Sequence, residues 1–168
     1  MGLHESSLDL EYKIDALPEQ VLELMTTPSF VVEMREAAGD EEIQVECSGE
    51  PPHLKTVLST RMVGIVTLPK VVKKLFAKRS RIRVELDWFE LDGVVTIDYE
   101  AAIGDGVGNV LGKAVLSPDG QGSSVSETFT ASTKVPLVHK PLLAFIVKTA
   151  RGLLAGDFKF VENRVRES

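Results

Sequence analysis

Ser123-Ser-Val-Ser-Glu-Thr-Phe-Thr-Ala-Ser-Thr-Lys-Val135 runs, after a short connection, into an amphipathic stretch from about Pro141 to Val165. The first piece alternates small polar residues with Val125, Glu127, Phe129 and Ala131, the period-two pattern of a strand with one buried face. In the second, Leu143, Val147, Ala150, Leu154, Phe158, Val161 and Val165 recur at spacings of three or four, one apolar stripe of a helix. Lys148, Arg151, Ala155, Lys159, Glu162 and Arg166 form a solvent-facing stripe beside it. At ~1.5 Å per residue this helix reaches about 37 Å, enough to cross a small sheet. A polar-faced strand closed by such a helix implies a curved sheet gripping the helix, with room between them for an apolar guest.

Reading back towards the N-terminus, turn residues divide the chain into a meander. Ser117-Pro-Asp-Gly-Gln-Gly122 and the Gly-rich 104–108 segment bound one strand through Leu116. Asp92-Gly93 suits the positive φ angles of a tight hairpin and joins Arg81–Glu90 to Val94–Ile103. On these two strands Ile82, Val84, Leu86 and Trp88 share a face, as do Val95, Ile97, Tyr99 and Ala101. A strand from Leu54 to about Thr67 follows the Glu50-Pro-Pro-His53 turn, and Ile43, Val45 and Cys47 mark the strand before it. Leu8, Leu10, Tyr12 and Ile14 alternate in the first strand; Pro18 then opens a short helix to Met25, with a second from about Ser29 to Ala37. The total is seven strands, two short helices after the first, and one long final helix, all in a single domain over 1–168. Successive hairpins imply an antiparallel sheet.

Composition narrows the functional classes. With 43% hydrophobic and 26% charged residues the chain is of ordinary globular type. A net charge of −6 argues against nucleic-acid binding, which uses a basic face. The one cysteine forbids an intramolecular disulfide, and the first residues lack the basic start and apolar run of a signal peptide, so a cytoplasmic location is expected. Charge is unevenly spread: residues 1–50 hold thirteen acidic and two basic side chains, while 51–84 hold nine Lys and Arg and no acid.

Leu68-Pro69, the Trp88 strand with its Asp92-Gly93 turn, Leu116-Ser-Pro-Asp-Gly120 and Val135-Pro-Leu-Val138 together resemble a bacterial family of unknown function. That family lies within the START-like, or SRPBCC, superfamily, whose helix-grip fold is shared by pollen-allergen-type ligand binders, START lipid-transfer domains and aromatic polyketide cyclases. The likeness covers nearly the whole chain. One departure is local: His139-Lys140-Pro141 stands where the family usually has glycines. The resemblance implies an α+β helix-grip fold, a seven-stranded curved antiparallel sheet with the long C-terminal helix packed on its concave face, and an apolar-lined cavity between them. It implies no particular chemistry.

Several residues then carry the functional expectations. The cavity is expected to be lined by Leu86, Trp88, Ile97, Tyr99, Phe129, Val147, Ala150 and Leu154, the inward members of strands and helix. Glu127 is the candidate polar anchor: on a concave face its carboxyl would point into the pocket and rise in pKa, whereas at a sheet end it would stay in water. Gly152 and Gly156 align with Thr149 on one flank of the helix, each costing about 1 kcal/mol relative to alanine; close packing on the sheet and clearance for a ligand both account for them. The insert over 69–78 sets Lys70, Lys73, Lys74 and Lys78 around Phe76, a pattern that suits contact with an anionic membrane or a solvated helix capping the sheet.

The three histidines, His4, His53 and His139, fall in expected loops or the tail, and none has an i,i+4 partner for metal. No metal or cofactor is expected, and no nucleophile motif stands out; Cys47 reads as a structural thiol. The expected function is non-enzymatic binding or transfer of a hydrophobic or amphipathic small molecule, in particular a lipid. The alternatives are a cyclase- or aromatase-like enzyme using the same cavity, and a peripheral membrane module using the basic insert.

Overall fold

The computed structural model of the chain describes residues 2–61, 69–78 and 80–168. Its elements are β1 (His4–Ile14), α1 (Pro18–Met25), α2 (Pro28–Ala37), β2 (Glu41–Glu50), β3 (His53–Arg61), α3 (Lys70–Phe76), β4 (Arg81–Leu91), β5 (Val94–Ile103), β6 (Gly108–Asp119), β7 (Gly122–Thr133) and α4 (His139–Glu167). The strand expected from Leu54 to about Thr67 is followed as far as Arg61. Its remainder, Leu68 of the family-like Leu68-Pro69 pair, and Arg79 beside the insert lie outside the described residues.

All seven strands form one antiparallel sheet in the order β1-β7-β6-β5-β4-β3-β2. The hairpins bring sequential strands together, and β1 returns to flank β7 with Leu10 opposite Glu127 and Tyr12 opposite Val125. Asp92 and Gly93 both adopt positive φ (52° and 81°), as a primed hairpin turn requires. Pro18 and Pro28 each stand in a first helical turn, where a missing N–H costs nothing. The Thr26 and Thr27 hydroxyls donate back to the Leu22 and Glu23 carbonyls, at 2.6 and 2.7 Å, and close α1 before α2 begins.

Every second residue of β4 to β7 turns to the helix-covered side of the sheet, and Val84, Leu86, Trp88, Ile97, Tyr99, Phe129 and Ala131 share one core with Ala150, Leu154 and Phe158 of α4. The apolar stripe of α4 differs from the expected one in its first two turns: Leu142 and Ile146 are buried, and Leu143 and Val147 are only half-buried. Both pairs lie within two turns before Ala150, so spacing alone suits either. Gly108 on β6 decides the matter, because a Cβ there would collide with the Ile146 Cδ1. The helix also starts at His139, before Pro141, which then occupies its first turn. No described helix is long and apolar enough to cross a membrane.

The insert helix α3 turns its apolar side inward. Val72 and Phe76 are buried, Phe76 packing on Phe145 of α4 with ring centroids 5.5 Å apart, while Lys70, Lys73, Lys74 and Lys78 stay exposed. The histidines occupy regular elements instead of loops. His4 opens β1, His53 opens β3 and His139 opens α4. His4 pairs with Thr133 at the end of β7, just before α4, so sheet closure stacks His4 on His139 at 3.7 Å.

Candidate functional site

Two polar assemblies lie beneath the helices. The first is built on Glu127, which β7 points into the concave face at mid-strand; it is 1% exposed. Tyr12 of β1 donates to its Oε1 at 2.9 Å, and Tyr99 of β5 donates to its Oε2 at 2.5 Å. Tyr99 must cross β6 to do so. It lies over Gly112, where a Cβ would collide with its ring at Cζ, so only a glycine leaves that path open. Burial pushes the Glu127 carboxyl up, and the Tyr99 and Tyr12 hydrogen bonds pull it back down in part. Both phenols are held well above their ordinary range, by burial first and then by the neighbouring carboxylate. Of the two readings of Glu127, the concave one describes its position, and both carboxyl oxygens are already engaged by protein donors.

Trp88 is likewise satisfied internally. Its indole N–H donates to the Thr56 hydroxyl at 3.2 Å, and Thr56 donates to the Met25 carbonyl at 3.3 Å. Leu86, Trp88, Ile97, Tyr99, Phe129, Ala150 and Leu154, expected to line a cavity, are instead at 5% exposure or less and belong to the hydrophobic core. Val147, the eighth expected lining residue, sits half-buried on the flank of α4.

Open space lies to one side of that core, towards β3 and the start of β4. A groove of about 410 Å³ runs between α2, β3, β4 and α4. Met34, Leu58, Ile82, Val84, Leu153 and Phe160 supply its apolar wall. Val84 and Ile82 share the strand face of Leu86 and Trp88, so the groove continues the concave surface where large side chains no longer fill it. Thr149, Gly152 and Gly156 of α4 line the other side. Both glycines are exposed and line the groove, and a Cβ at either would meet no described atom within 4 Å, so close packing does not explain them.

The second polar assembly closes one end of this groove. Arg35 of α2 donates through one terminal nitrogen to Asp157 of α4 and through the other to Asp40 at 3.4 Å. These side chains are 12%, 7% and 19% exposed, so water screens them weakly. Arg35 Nε is enclosed without a hydrogen-bond partner among the described residues. Burial pushes the Asp157 carboxyl up to about 7 against the opposing pull of Arg35, with Asp40 adding a further rise. Burial raises Asp40 as well, again opposed by Arg35. Sequence reading missed this cluster because Arg35 and Asp157 stand 122 residues apart; the one available signal was an aspartate beside Phe158, at the buried edge of the helix stripe.

Cys47 is half-buried beside Thr56, and burial raises its thiol, as suits a structural position. The sheet carries a further depression of about 610 Å³ whose lining mixes Ser7, Asp9, Asp98, Lys113 and Thr128 with Leu111 and Phe129.

The architecture recurs in solved structures. Ara h 8.0201 superposes with a TM-score of 0.61 at 17% identity, over 99% of this chain and 100% of its own. TTHA0849 from Thermus thermophilus gives 0.60 at 18% identity, over 96% and 98%. Norcoclaurine synthase from Thalictrum flavum gives 0.60 at 13% identity, over 99% and 89%, and one structure of that enzyme holds dopamine and hydroxybenzaldehyde. These likenesses establish the helix-grip fold, also called Bet v1-like. No curated protein matches the sequence. A family described as a protein of unknown function, DUF2505, matches residues 9–165, and the chain belongs to that family.

Proposed function

We propose that the protein binds a small amphipathic molecule, without covalent chemistry, in the groove between α2, β3, β4 and α4. The observation that carries this reading is the pair Gly152 and Gly156. Each costs the helix about 1 kcal/mol relative to alanine, and each is an exposed residue lining the groove, where an added Cβ would meet no described atom within 4 Å. Helix stability given up beside an apolar wall is accounted for by a guest that occupies the space. The volume, about 410 Å³, lies within the roughly 300–1,000 Å³ of small-molecule sites. Enclosing roughly 200–300 Å² of apolar ligand surface at ~25 cal/mol per Å² contributes about 5–7.5 kcal/mol before association costs, which limits affinity to the micromolar range or weaker. None of Leu86, Trp88, Ile97, Tyr99, Phe129, Val147, Ala150 and Leu154 lines this groove.

A cyclase- or aromatase-like role would draw on Glu127, a deeply buried carboxyl paired with two phenols. Neither it nor Tyr12 nor Tyr99 lines the groove, so binding is favoured over catalysis. Native mass spectrometry of the purified protein, with uptake of an apolar fluorophore, tests the proposal. Gly152→Leu should fill the groove and abolish uptake while the fold persists by circular dichroism. Uptake unchanged in that variant would overturn the assignment.

A further inference from the structure

We propose that the polar end of this groove excludes anionic headgroups, so that its ligand is an amphiphile with a hydroxyl or protonated amine head and not a carboxylate or phosphate. The inference rests on the binding reading above and deepens it. An arginine at the end of an apolar groove would ordinarily suggest a fatty-acid clamp, since the guanidinium fork matches a carboxylate. Arg35 is not free to act as one. Its terminal nitrogens are engaged by Asp157 and Asp40, and its Nε is enclosed. Arg35, Asp40 and Asp157 are the charged side chains among the described lining residues. Two carboxylates face one guanidinium, so the cluster carries an excess negative charge when all three are ionised.

Position strengthens the effect. These side chains are between 7% and 19% exposed, where charges interact more strongly than in open water. A ligand anion would bring a third negative charge against one committed cation. An ammonium would meet the excess charge with the favourable sign, and a hydroxyl can donate to a carboxylate oxygen at little desolvation cost. Asp157 and Gly156 are adjacent in α4, so the acidic end and a glycine that lines the groove lie on one turn of helix.

The test uses three probes with one chain length, decylamine, 1-decanol and decanoate, titrated into the full-length protein below their micellar concentrations. A pH of about 8.5 lies above the value of about 7 to which burial raises the Asp157 carboxyl, and guanidinium groups carry their charge there. Decylamine and 1-decanol should bind at least about tenfold more tightly than decanoate, a gap of about 1.4 kcal/mol. Asp40→Asn removes one negative charge at the more exposed member of the cluster; it should narrow the gap by strengthening decanoate and weakening decylamine. Asp157→Asn should do the same, and Asp40→Asn keeps the test decisive if that variant does not fold. Decanoate binding as tightly as decylamine overturns the headgroup inference and leaves the groove assignment standing. Binding of none of the three, or binding that Gly152→Leu leaves untouched, overturns both.

Discussion

Glu127 and Asp157 are both buried acids, but they are stabilised differently, and the difference is measurable. Glu127 accepts from two phenols and no cation, so deleting one donor leaves a carboxyl oxygen unpaired. Tyr99→Phe should therefore destabilise the fold by about 1–3 kcal/mol, read from urea denaturation. Gly112→Ala should destabilise through the same contact, because its methyl would lie where Tyr99 crosses β6; combined with Tyr99→Leu its cost should shrink, since the ring it meets is gone. Asp157 instead reports through pH. Its carboxyl is raised from 3.8 to about 7 in the fold, so between those values the folded chain retains a proton that the unfolded chain releases. Stability then falls as pH rises from about 4 to about 7. Asp157→Asn should flatten that dependence when Tm is compared at about pH 4.5 and about pH 7.5; an unchanged slope would mean that this carboxyl titrates as if exposed.

Among the elements, α4 combines two requirements that conflict. Its inner stripe is selected for packing, while its Thr149–Gly152–Gly156 flank gives up helix propensity beside open space. Gly152→Ala and Gly156→Ala should each stabilise the protein by about 1 kcal/mol, since the added methyl meets no described atom within 4 Å and the helix gains propensity. Both should also weaken ligand binding, a separation of stability from function that a purely structural glycine would not produce. The insert α3 presents the opposite case. With Phe76 and Val72 packed inward and Val71 the large apolar side chain of α3 left exposed, a hold on anionic vesicles would rest chiefly on Lys70, Lys73, Lys74 and Lys78. Flotation at low salt should then be lost at about 0.5 M salt, where screening is nearly complete, and in the Lys73→Glu/Lys74→Glu variant. Retention at high salt would require the apolar face to leave Phe145.

At the scale of the whole molecule, the strands, their order and the closing helix follow from patterns that lie close together in the chain. Alternation identifies a strand and its inward face, Asp92-Gly93 or Ser117–Gly122 turns it back, and each hairpin then pairs neighbours without reference to distant residues. Facing Trp88, Ile97, Tyr99 and Phe129 into one core required no more than that period of two. What local pattern leaves undecided is any contact whose partners meet only when the sheet curves around α4. Leu142 and Ile146 win over Leu143 and Val147 because Gly108 on β6 accepts the Ile146 side chain. Tyr99 reaches Glu127 because Gly112 intervenes, and Arg35 meets Asp157 because α2 and α4 flank one groove. The location of open space belongs to the same class. A cavity is what remains after every side chain has been placed, so it depends on the sum of the packing, and no single segment encodes it.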